Sequence, residues 1–221
     1  MTMAPPLQLD PIVRRANGHV PPPPPRGGDG GPDPDSAPRR PRVDNLKIAT
    51  FVLIGGEVMF FGGLVSAFLV LRLSAVVWPP PFQPRLPVEV TAVNTLVLIA
   101  SSLAMVWATR ALRARDRAAL VRWLAGAAVL GATFLTVQGY EWVRLVSFGL
   151  TVTSGAYGTT FYSVIGTHAL HVLAALVWLV VTTALVAQGL TARRASQVRA
   201  CAMFWHFVVG LWPLLYVAVY L

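Results

Sequence analysis

Five side chains in otherwise apolar surroundings have the chemistry to move a proton or bind a metal. Glu57 stands inside "GGEVMFFGG", and Glu141 inside "QGYEW". His168 and His171 lie three apart in "GTTFYSVIGTHALHV", and His206 lies in "FWHF". Histidines at i and i+3 share a helix face, and two imidazoles so placed are a start on a metal or haem site. The rest of such a site is missing. Cys201 is the single cysteine, and a haem pair would need histidines facing each other from separate helices. The expectation is therefore that the chain binds no metal. The histidines are expected to hydrogen-bond to Glu57, Glu141 or lipid headgroups instead. An acid at the centre of a membrane helix costs roughly 2.5–3.5 kcal/mol on insertion scales, so Glu57 must face protein or water. Two roles stay open for it: a neutral, hydrogen-bonded carboxyl joining two helices, or a group that handles protons.

The elements that position these groups are membrane spans. Hydrophobic residues make up 55% of the 221, charged residues only 12%, and the mean hydropathy is +0.61. Five apolar runs follow one another: Lys47–Arg72, Val90–Arg110, Val121–Arg144, Tyr157–Gln188 and Val198–Leu221. At ~1.5 Å per residue each can cross a hydrocarbon core of ~30 Å. The expected fold is all-α, an integral membrane bundle of five transmembrane helices over residues 45–221. Residues 1–44 hold 12 of the 18 prolines and no apolar run. They are expected to form a disordered tether.

Charge sets the topology. The net charge is +9, but the basic residues lie between apolar runs rather than among stacking aromatics, which speaks against a nucleic-acid partner. Fifteen of the eighteen Lys and Arg fall in the tail, in the second loop or in the fourth loop. The excess of Lys and Arg marks the cytoplasmic side, so the N-terminus is expected in the cytoplasm and the C-terminus outside. Gly55, Gly56, Gly62 and Gly63 flank Glu57, and Gly126 and Gly131 lie in the third span. Small residues let helix backbones approach, so these are expected at helix contacts. No phosphate loop, nucleophile elbow or zinc spacing is present.

Five segments together resemble one family, subunit III of the haem-copper oxidases. "GGEVMFFGGLVSAFL" resembles its S-E-x-x-F-F helix, and "LPVEVTAVNTLVLIASS" its P-x-x-N-T helix with paired serines. "FLTVQGYEW", "GAYGTTFYSVIGTHALHV" and "FWHFVVGLW" resemble the family's Q-x-x-E, G-x-H-G-x-H and W-H-F-V segments. The likeness covers about residues 46–221, in the short five-helix bacterial form. It implies a multi-pass protein of the bacterial inner membrane and a subunit of cytochrome c oxidase that is not catalytic alone. It implies packing on subunit I, which carries haem and copper, with subunit II in the same complex. It further implies bound structural phospholipids and support of proton uptake and lifetime over many turnovers. Glu57 falls on the family's buried acid, possible site of a link to proton uptake. Gln138, Glu141, His168, His171, Trp205 and His206 fall on positions read as polar contacts between helices or with lipid.

Three positions depart from the family pattern. Arg199 and Val209 stand where the last helix has acids, and Ala169 replaces a glycine between the histidines. The departures keep an accessory protein of nitric oxide reductases in view, and the electron donor leaves subunit III of a quinol oxidase open. An unrelated transporter using Glu57 as proton carrier is the reading from another class.

Overall fold

The computed structural model describes residues 45–78, 80 and 88–220. The tail and Arg85 lie outside the described residues. Among these residues all regular structure is helical. Helix α1 runs Asn45–Ser74, α2 Val88–Arg113 and α3 Arg117–Ser147. Helix α4, Ala156–Phe161, passes through a wide π turn, Tyr162–Gly166, into α5, Thr167–Ala187. Helix α6 is Ala192–Tyr220. Taking α4 to α5 as one span, five helical stretches of 26–32 residues are long and apolar enough to cross a membrane. They correspond one to one with the five expected runs.

Helix ends extend past the hydropathy boundaries because a helix continues into water wherever its ends are satisfied. Helix α6 begins at Ala192, six residues before the apolar run, over a polar turn holding Arg193, Arg194 and Gln197. The α2–α3 corner is tight for a local reason. Arg115 adopts a left-handed φ of 57°, which reverses the chain. Its N–H donates to Leu112 O and that of Asp116 to Ala111 O, the two bonds of a Schellman closure. The Asp116 carboxylate then accepts from Ala119 N at 2.9 Å and caps α3.

Helices α2, α3, α5 and α6 close a ring in which each packs on two neighbours, α2 on α3 most extensively. Trp205 and Trp212 of α6 are the largest fully buried side chains, in one core with Leu98, Met105, Leu124, Phe134 and Leu215. Helix α1 lies outside this ring. It packs on α6 and on the π turn, and buries only Thr50, Phe61 and Phe68. Phe51, Val52, Met59, Val70 and Leu73 of α1 remain exposed, a surface suited to lipid or another apolar chain.

The glycine expectation is corrected here. A Cβ at Gly55, Gly56, Gly62, Gly63 or Gly126 would meet nothing within 4 Å. These glycines bring no helices of this chain together. Gly131 alone of the six does so, beneath the Trp205 ring. Glycine count on a helix reports permission for close approach, not the direction of the neighbour.

Candidate functional site

The buried polar groups fall into two sets. The first is a ladder between α2 and α6. Trp205 Nε1 donates to Ser101 Oγ at 3.3 Å, and Trp212 Nε1 donates to Thr95 Oγ1 at 2.8 Å. Ser102 Oγ and His206 Nδ1 are 2.6 Å apart, and Tyr216 OH donates to Val88 O at 3.1 Å. The partners descend α2 as they climb α6, as antiparallel helices require. Asn94 Nδ2 adds a bond to Phe134 O of α3 at 3.0 Å, and Gln138 Nε2 of α3 donates to Tyr220 OH at 3.1 Å. In an apolar medium such bonds fix the register of helices that dispersion alone would leave free to slide.

The second set joins α1 to α5. Glu57 Oε2 lies 3.0 Å from His171 Nε2. The approach lacks hydrogen-bond geometry, and Oε2 has no other hydrogen-bond partner. His171 Nδ1 lies 2.8 Å from Thr167 O. A carbonyl only accepts, so Nδ1 carries the proton and Nε2 is the atom turned to the acid. Phe60 and Phe61 wall the pair, which sits in a shallow pocket of about 360 Å³ with Val52, Leu53 and Gly56. The pocket opens on the outside of the bundle.

The two histidines of α5 go different ways. His168 is fully enclosed, its ring stacked on Trp212 at 5.1 Å and edge-on to Phe61. Neither of its ring nitrogens has a hydrogen-bond partner. Glu141 is buried near the C-terminal end of α3, and Arg144 Nη1 donates to its Oε1 at 3.2 Å. Glu57 and His171 thus come together, as do His206 with Ser102 and Gln138 with Tyr220. His168 and His171 do not converge on a common point. Among the described residues no three His, Cys, Asp or Glu side chains gather as a metal site.

A profile of the family described as cytochrome c oxidase subunit III matches residues 40–221. The chain belongs to that family. It is similar to cytochrome c oxidase subunit 3 of Corynebacterium diphtheriae, 33% identical over 183 residues, covering 81% of this chain and 89% of that protein. Cytochrome c oxidase subunit 3 of Bacillus subtilis is 32% identical over 181 residues, covering 80% and 86%. That of Pongo pygmaeus is 33% identical over 189 residues, covering 81% and 70%. The family is a subunit of an oxidoreductase complex, and five spans make this chain a multi-pass membrane protein. The names of these relatives do not favour the nitric oxide reductase, quinol oxidase or transporter readings.

Seen as a subunit III, the chain keeps the family segments at its helix contacts. The "NT" and "SS" pairs of α2 face the tryptophans of "FWHFVVGLW". Sequence reasoning singled out Trp205, His206 and Gln138 but missed their partners Ser101, Ser102 and Tyr220, and the Thr95–Trp212 pair as well. A signal was available. Asn94/Thr95 and Ser101/Ser102 are seven apart, and so are Trp205 and Trp212. Two turns of helix return to the same face, so the polar pairs mark one face of α2, where Ser101 and Thr95, six apart, meet Trp205 and Trp212, seven apart on α6.

Proposed function

We propose that the chain serves as subunit III of a bacterial cytochrome c oxidase, a fixed helical unit that holds its shape beside the catalytic subunits. The observation that carries this is the α2–α6 ladder, built on the family's own segments. Its occupants are hydrogen-bonding and stacking groups, which fix geometry and carry no electrons. The reading includes docking on subunit I, which supplies haem and copper, with subunit II in the complex. It places the N-terminus in the cytoplasm, on the strength of the Lys and Arg distribution. The uncovered side of α1 supports a role in holding structural phospholipids. Residues 1–44 act as a tether and residues 45–221 as the membrane domain.

Glu57 of α1 and His171 of α5 face each other and form the pair that this reading links to proton uptake. His171 Nδ1 donates to Thr167 O, which turns Nε2 toward the Glu57 carboxyl. Such a pair in a pocket open to the outside of the bundle suits a link to proton uptake. Gln138, Trp205 and His206 serve as polar contacts between helices, His168 as a stacked ring in the core, and Glu141 as the partner of Arg144 on its own helix.

The experiment is purification of the tagged chain from its native membrane in mild detergent, with an absorption spectrum and metal analysis of what accompanies it. Haem and copper together are expected. Haem with non-haem iron and no copper would move the chain to a nitric oxide reductase, and no metal would revive the transporter.

A further inference from the structure

Where the start of α2 meets the later half of α3 and the last turn of α6, four neutral polar side chains gather. They are Thr91 and Asn94 of α2, Gln138 of α3 and Tyr220 of α6, exposed by only 1%, 3%, 3% and 8%. Asn94 Nδ2 donates to Phe134 O, one turn before Gln138, and Gln138 Nε2 donates to Tyr220 OH. Thr91 lies one turn before Asn94 and beside the Tyr220 side chain. The four therefore form one cluster across three helices.

Two buried atoms of this cluster are left over. Neither Thr91 Oγ1 nor Asn94 Oδ1 has a hydrogen-bond partner among the described residues. Thr91 does not take the usual outlet of a helical threonine, a carbonyl three or four residues back, as Thr95 does with Thr91 O. The Asn94 amide cannot turn to help itself, because its nitrogen is held by Phe134 O. A third capacity is that of Tyr220. Its oxygen accepts from Gln138, so its own hydrogen remains to be donated. Buried groups of this kind are costly to leave unpaired, and more so in a bundle bathed in hydrocarbon.

We propose that Thr91, Asn94 and Tyr220 bind a single ordered water that bridges α2 to α6 and, through Gln138, to α3. The water accepts the Tyr220 hydrogen, donates one of its own to Asn94 Oδ1 and bonds Thr91 Oγ1. That is about three partners, the usual number for a buried water. A cation fits poorly. The cluster itself carries no charge, and the acid of α3, Glu141, is engaged by Arg144. Asn94 also borders a groove of about 420 Å³ between α2 and α3, with Glu89 and Thr133 in its lining, which gives water a way in. The site lies wholly within this chain, so it stands whichever complex the chain joins.

The test makes two measurements on the native complex. In a cryo-EM map sharp enough to show ordered water, a spherical density is expected within hydrogen-bond distance of Thr91 Oγ1, Asn94 Oδ1 and Tyr220 OH. The second measurement is hydroxyl-radical labelling by an X-ray pulse in heavy-oxygen water. Radiolysis of a bound water oxidises the side chain beside it, so Tyr220 is expected to take up label although it is buried. Thr91→Val keeps the shape and removes one partner. It should weaken the site about 5-fold, the worth of one hydrogen bond, and lower the Tyr220 label accordingly. The label on the exposed Trp123 should not change. If Thr91→Val fails to assemble, density and label in the unmodified complex decide. Absence of either overturns the proposal. So does a direct bond from Thr91 Oγ1 and Asn94 Oδ1 to protein groups, an elongated density of lipid or detergent, the short contacts of a metal ion, or a Tyr220 label unchanged in Thr91→Val.

Discussion

Trp205 of α6 lies directly over Gly131 of α3. A Cβ built on Gly131 would stand 2.5 Å from Cη2 of that ring and 2.9 Å from Cζ2. The tryptophan is 1% exposed and its Nε1 is bonded to Ser101, so the ring has no room to withdraw. Gly131→Ala is therefore expected to destabilise the subunit by ~1–3 kcal/mol through overpacking. Gly126→Ala on the same helix meets open space and should be neutral or slightly stabilising. Thermal denaturation of the purified complex, followed by loss of the subunit, distinguishes the two.

The Trp212–Thr95 bond is the shortest tryptophan contact of the ladder. Trp212→Phe and Thr95→Val each remove it while keeping the packing, and each is expected to cost ~1–2 kcal/mol. The double variant should cost less than the sum by ~0.5–1.5 kcal/mol. Full additivity in a double-mutant cycle would show that the bond contributes nothing.

His168 makes the reverse case. Its two ring nitrogens have no partner, while its faces stack on Trp212 and Phe61. His168→Phe removes no hydrogen bond and keeps the ring contacts, so it should fold as well as the unmodified chain or better. His168→Ala leaves a cavity in the ring of helices and should cost ~3–5 kcal/mol, by analogy with other large-to-Ala core changes. Expression level and detergent melting temperature give both answers. A His168→Phe variant that folds but slows turnover would assign the imidazole a role beyond packing.

Glu57→Gln keeps the shape of the side chain on α1 and removes the carboxyl that faces His171. Assembly of the complex is expected to stay nearly intact, because α1 is held by Phe61, Phe68 and the Arg72 Nη1 bond to Ala218 O as well. Co-purification of the tagged subunit measures this, and loss of the subunit would show that the carboxyl itself holds α1 in place. Turnover of the assembled variant then reports any link to proton uptake.

The match to the family begins at residue 40. Deletion of residues 1–39 is accordingly expected to leave the complex assembled and active. Dissociation of the truncated subunit in mild detergent would give that segment a structural role.

Hydropathy and charge were enough to find every span, because the bilayer imposes one length and one polarity on each. Glu57, His171 and His206 could be singled out as polar groups in apolar runs, but Ser102 as the neighbour of His206 could not. Direction was not legible. His168 and His171 share a face in a regular helix, yet one enters the core and the other meets α1, since a face three residues wide touches more than one neighbour. The glycines around Glu57 read as a packing stripe, but α1 sits at the rim and presents them outward. The π turn at Tyr162–Gly166 was invisible too. It contains no proline, and its one glycine, Gly166, closes it in ordinary helical geometry with φ −64°. Such a turn is a compromise between the packing of the segments on either side of it.

The placement of α1 also bears on how the chain is made. Of the five described spans it leaves the ribosome first, and its principal partner, α6, leaves fifth. The bond from Arg72 to Ala218 closes a separation of 146 residues. Until α6 is made, the helix that carries Glu57 has only the π turn and His171 of α5 as neighbours among the described residues, and the rest of its apolar surface is committed to whatever the membrane offers. Anything waiting there, lipid or subunit, meets α1 before α6 does, and the order of synthesis gives it the first claim on the site.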